Sequence, residues 1–105
     1  MTSFMQIAEI SRGGGKILEF PSTKDDIRSL SEAARLEIII DLAARLDEAS
    51  RLAYERDRDA LVAMLVYLSV SFRDSAAEIA SESYGPFLIE QMLASVKRIE
   101  ANFAD

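Results

Sequence analysis

Cysteine, histidine and tryptophan are all missing from this chain of 105 residues. Without cysteine there is no disulfide, no thiol nucleophile and no thiolate metal site. The same absence suits a reducing cytoplasm, which is where the chain is expected to reside. Without histidine, the commonest general base and the commonest transition-metal ligand are both gone. A serine nucleophile would have to rely on a lysine or a carboxylate. No catalytic residue, metal ligand or cofactor is expected on these grounds.

Positive charge is also in short supply. Eighteen acidic residues against twelve basic ones leave a net charge of −6. Binding to DNA or RNA draws most of its affinity from clustered Lys and Arg. The densest basic group here, Arg51, Arg56 and Arg58, is interleaved with Asp47, Glu48, Glu55, Asp57 and Asp59. Nucleic acid is therefore not an expected partner, whereas a basic protein would suit this acidic surface. The first ten residues carry no basic segment ahead of an apolar stretch, so no secretory signal is read there. The longest uncharged run, Ala60 to Phe72, has thirteen residues. As a helix it rises about 20 Å, short of a bilayer's apolar thickness. No membrane association is expected.

Glycine and proline number only four and two, and neither occurs between Ser22 and Tyr84. With the two main breakers missing, that stretch favours helix throughout. Gly85–Pro86 then ends one helix and begins another, since proline is tolerated in a first helical turn. The remaining glycines gather at Gly13–Gly15. Gly-Gly-Gly-Lys16 is not a phosphate-binding loop, because Ile17 stands where the pattern requires Ser or Thr. The chain divides into an N-terminal arm, residues 1–21, and a helical domain, residues 22–105. Lys16–Phe20 and Phe4–Ile10 have the character of short strands. A lone two-stranded hairpin is marginal in water, so the arm is read as flexible or as a short β-like piece.

Helix starts are marked by a serine three residues ahead of a carboxylate: Ser22–Asp25, Ser29–Glu32 and Ser75–Glu78. These place boundaries near 22–23, 29–31 and 74–76, with a further break near Arg56–Asp57 and a kink or break near Arg73–Ser75. The expected fold is all-α, a small bundle of three principal helices, or four or five with these breaks counted. The first long helix, roughly 31–55, puts Leu36, Ile38, Ile39, Leu42, Ala43, Leu46, Ala49 and Ala53 on one face, with Ile40 at its edge. The last, roughly 86–103, aligns Leu88, Ile89, Met92, Val96, Ile99 and Phe103.

The middle helix is apolar nearly all round. Leu61, Leu65, Leu68, Phe72, Ala76 and Ile79 form one stripe and Val62, Val66 and Val70 a second, with Ala63, Met64 and Tyr67 filling much of the rest. Two one-faced neighbours cannot cover such a helix on every side. A homodimer follows as the expectation, with a candidate interface drawn from Leu61, Val62, Leu65, Val66, Leu68, Val70 and Phe72. Which stripe meets the partner stays open. The leading functional reading is a non-enzymatic regulatory or adaptor protein that acts through protein–protein contacts.

Two other chemistries compete with it. Glu37 and Asp41, and likewise Glu78 and Glu82, lie four apart and can offer two oxygens to one Mg²⁺. This resembles the carboxylate pairs of all-α nucleotide pyrophosphatases and implies Mg²⁺-dependent nucleotide hydrolysis, although the doubled Glu-Glu-x-x-Glu cluster of those folds is missing. Asp41 and Asp47 also have helix partners to hand in Arg45 and Arg51. The segment from Ser75 to Leu93 resembles a helix-turn-helix and implies a DNA-binding regulator. Its second helix would present Phe87, Leu88, Ile89, Met92 and Leu93, with Gln91 as the one good base-reading side chain. An apolar pocket lined by Met64, Tyr67, Phe72 and Met92 is a further alternative.

Overall fold

The computed structural model describes residues 24–103, which form four helices: α1 (Lys24–Arg28), α2 (Glu32–Glu55), α3 (Asp59–Ser81) and α4 (Gly85–Ala101). No strand occurs among the described residues, and the all-α bundle is the fold. The arm over residues 1–21, with its strand-like segments and Gly13–Gly15, lies outside the described residues, as does the Ser22 cap.

The start of α2 falls within the expected 29–31 boundary, with Ser31 rather than Ser29 as its cap. Ser31 takes the extended cap conformation (φ −70°, ψ 164°), and its Oγ accepts from the Ala34 N–H at 3.1 Å. Ser29 instead donates to the Asp26 carbonyl at 2.7 Å, closing the end of α1. Glu32 still lies in the first turn, where its charge meets the positive helix end.

The break near Arg56–Asp57 is present and has a defined geometry. Asp57 has φ 59°, the left-handed region. Its N–H donates to the Tyr54 carbonyl at 3.1 Å, and the Arg58 N–H reaches the Ala53 carbonyl at 2.9 Å. These are the paired bonds of a Schellman turn, with aspartate where glycine is usual. Only three residues therefore separate α2 from α3, and the two helices pack side by side and antiparallel.

No break occurs near Arg73–Ser75, and the boundary expected at 74–76 is likewise absent. α3 runs without interruption from Asp59 to Ser81. A serine–carboxylate spacing caps a helix only where the chain has already left it, and nothing around Ser75 makes it leave. Ala76, at 1% exposure, is instead packed in the core. α3 ends at Ser81, and the chain turns through residues 82–84 into α4. Gly85 is needed there for its size: a Cβ would stand 2.1 Å from the Ile79 carbonyl oxygen.

α2 is the central helix, with α3 and α4 packed against it and α1 against α4. Ile39, Leu42 and Leu46 of α2 meet Leu65 of α3 and Ile89 and Val96 of α4, with Ile27 of α1 alongside. The face expected for α2 is the buried one; Leu36 sits at its margin and Ile40 stays 39% exposed. On α4, Leu93 joins the expected stripe as a buried residue. Arg35 ties the helix ends together. Its guanidinium donates to the carbonyls of Ile27 (3.2 Å), Arg28 (2.8 Å) and Ala80 (3.3 Å), so one side chain serves the C-terminal ends of α1 and α3.

Candidate interaction surface

α3 is the most apolar of the long helices and the least covered. Of its 23 residues, Leu65, Ser69, Ala76 and Ala80 are buried, against seven buried residues in α2 and five in the shorter α4. The side facing the chain's own core is the Leu61–Leu65–Leu68–Phe72–Ala76–Ile79 stripe. Leu65 is fully buried there, while Leu61, Val62, Leu68 and Phe72 pack partly against the same core. Leu65 is thus withdrawn from any surface a second molecule meets.

The opposite side of α3 faces outward. Met64 is 51% exposed, Val66 46%, Tyr67 70% and Val70 50%. Ala60, Ala63, Asp74, Ala77 and Ser81 are exposed as well. Residues 60, 63, 67, 70, 74, 77 and 81 recur at alternating intervals of three and four. That is the spacing of a helix seam that packs on another helix. Of the candidate interface residues, the structure leaves Val66 and Val70 outermost, and adds Met64 and Tyr67 to them.

A polar clasp holds α3 so that this side stays outward. Ser69, 1% exposed, donates to the Asp47 carboxylate at 2.5 Å, with the Ala43 carbonyl at 3.2 Å as a second acceptor. Its Oγ accepts from the Arg73 guanidinium, which also reaches Asp47 at 2.9 Å. Burial pushes the Asp47 carboxyl up, but the bonds from Ser69 and Arg73 outweigh it and hold the group below its ordinary value. Nothing in the spacing of Ser69 singles it out in the sequence, because Asp47 lies 22 residues away. The exposed seam was hidden in the sequence behind the two more conspicuous leucine and valine stripes.

The carboxylates expected to pair along α2 are arranged differently. Asp47 goes to α3 rather than to Arg51, which bridges Glu48 and Glu55 instead. Arg45 reaches across to Glu100 of α4 with two bonds, Nε to Oε2 at 2.9 Å and Nη2 to Oε1 at 2.6 Å, and Asp41 adds to the negative field around it. Hydrogen bonding to Arg45 holds the Glu100 carboxyl below its ordinary value. Among the described residues no group of three or more acidic side chains is disposed to hold a metal ion, and the Glu37–Asp41 and Glu78–Glu82 pairs stand apart from any third ligand.

The second helix of the would-be helix-turn-helix is α4, and Ile89, Leu93 and Val96 bury it in the core. The exposed side chains of its first two turns are Phe87 and Gln91, with no cation among them. The expected apolar pocket is divided. Phe72 and Met92 share a cleft of about 240 Å³ between α3 and α4, over Leu46, whereas Met64 and Tyr67 lie outside. That volume falls below the roughly 300 Å³ at which small-molecule sites begin.

No family model, curated protein or solved structure matches the chain. By length and composition α3 is long and apolar enough to cross a membrane, because the helix continues past the uncharged run that ends at Phe72; 17% of its most apolar window is buried in the fold.

Proposed function

We propose that the protein is a non-enzymatic regulatory or adaptor module that works as a homodimer, with the outer side of α3 as its contact surface. The observation that carries this is the row of uncovered apolar side chains Met64, Val66, Tyr67 and Val70 on the helix richest in them. Contiguous exposed apolar surface of this kind marks an interaction site more often than a free surface. The net charge of −6 suits a basic protein as the further partner.

Light scattering after size exclusion, over a dilution series, tests the reading. A dimer that persists on dilution and is lost in Tyr67→Asp supports it. A folded monomer at all concentrations overturns it. Flotation with lipid vesicles is the matching control for α3: retention of the folded chain by the vesicles would move the apolar face from a protein partner to a bilayer. A nucleotide turnover screen with Mg²⁺, and retention on DNA, test the hydrolase and repressor alternatives; activity in either displaces the adaptor reading.

A further inference from the structure

The outer seam of α3 is unequal along its length, and the inequality specifies how a second copy would fit. From the N-terminal end it reads Ala60, Ala63, Tyr67, Val70, Asp74 and Ala77. Small residues come first, then bulky ones, then a carboxylate. Resting on the dimer reading above, we infer that two copies pair through α3 in antiparallel fashion, with Ala63 against the partner's Tyr67 and Ala60 against the partner's Val70.

Three features select this arrangement. The first is volume. Antiparallel pairing about a two-fold axis near residue 65 sets each alanine against a bulky side chain, and the same contact recurs on the other side of the axis. Close packing favours such alternation of large and small. Sliding the partner by one seam position sets Tyr67 against the partner's Val70 twice and leaves alanines facing alanines. Parallel pairing sets Tyr67 against the partner's Tyr67.

The second feature is Asp74. It is exposed and makes no hydrogen bond or ion pair among the described residues. In the slipped register it falls opposite the partner's Ala63, a carboxylate taken out of water with no partner, which is strongly unfavourable. In the inferred register it lies beyond the apolar overlap, beside the start of the partner's α3.

The third feature is that start. The residue preceding α3, Arg58, makes no side-chain cap bond, so the first N–H groups of the helix are not served by a cap. Arg56 and Arg58 flank this end, both over the Phe103 ring, and equal in number the carboxylates Asp57 and Asp59 beside them. A helix N-terminus favours an approaching carboxylate. A concave surface there, lined by Asp57, Arg58, Asp59, Ala60, Leu61 and Met64, leaves room for it.

The chain has no cysteine, so paired cysteine variants report the register directly. Ala60→Cys and Val70→Cys both lie on exposed positions. Oxidation of the two variants mixed should give a disulfide-linked dimer, and oxidation of either alone should not. Self-linking of each variant alone indicates parallel pairing and overturns the inference while the dimer stands. A dimer by light scattering that links in no combination overturns it in the same way. A folded monomer removes the dimer reading and this inference together. Asp74→Ala gives an independent readout: loss of its contact with the partner's helix start should raise the dimer dissociation constant about tenfold, whereas tighter association shows Asp74 to lie within the apolar overlap and overturns the register.

Discussion

The Ser69 hydroxyl of α3 donates to the Asp47 carboxylate of α2 at 2.5 Å, beside a mainly apolar core. Apolar ridges alone allow neighbouring helices to slide by a turn at modest cost. A buried hydroxyl accepts only the register in which its partner is in reach. Ser69→Ala should lower stability by about 1 kcal/mol, read as a shift in the urea midpoint with unchanged slope. A larger loss in Asp47→Ala is expected, since both Ser69 and Arg73 then lose their acceptor.

Acid should loosen the bundle through Glu100 and Asp47. Both carboxyls are held below their ordinary values, Glu100 first by its bonds from Arg45, and Asp47 by Ser69 and Arg73 against the opposing effect of burial. A carboxyl depressed in the folded state contributes stability that is fully present above its unfolded value. That contribution is lost as pH falls through the folded value. The unfolding temperature should therefore hold steady near neutrality and decline once pH drops below the ordinary 4.5 of a glutamate. Glu100→Gln should flatten the decline. An unchanged slope in that variant would assign the acid sensitivity elsewhere.

Asp57 occupies a backbone region that L-residues enter at a cost of roughly 1–2 kcal/mol, with φ 59°. Asp57→Gly relieves that strain but loosens the unfolded chain. The net expectation is a gain of about 0.5–1 kcal/mol, seen as a rise in the thermal midpoint. Asp57→Val should do the opposite, because a β-branched side chain tolerates this region worst.

Arg35 serves carbonyls at the ends of two helices. Arg35→Ala should cost about 2 kcal/mol. Amide exchange should accelerate first around α1 and the last turn of α3. Arg35→Lys should recover part of the loss, since a single ammonium cannot reach Ile27, Arg28 and Ala80 at once.

The three long helices were legible in the sequence because their signals are local. The face of α2 follows from 3.6-residue periodicity, the stop at Arg56–Asp57 from an excessive helix length, and the start of α4 from Gly85–Pro86. The boundary expected near Ser75 misled because a capping pattern also occurs by chance inside helices. Ser29 and Ser31 could not be told apart without knowing where α1 ends. What the sequence hid is what depends on distant pairs: the clasp of Ser69, Asp47 and Arg73, the reach of Arg45 to Glu100, and the three carbonyls on Arg35. The surplus apolar character of the middle helix was visible, but its outward side was not. Choosing between the leucine and valine stripes required knowing which of them α2 covers.

The connection at Arg56–Asp57–Arg58 sets the direction in which α3 leaves α2. Three residues depart from helical geometry between α2 and α3: Arg56 (φ −102°, ψ 14°), Asp57 (φ 59°) and Arg58 (φ −105°, ψ 69°). Were all three to take helical values, the two helices would merge into a single rod of about 50 residues, near 75 Å long. The inner stripe of α3 would then be carried away from α2 and presented to another molecule's core. Folding back and running straight on are thus separated by the backbone angles of these three residues. The antiparallel course of the two longest helices is written into that one short turn.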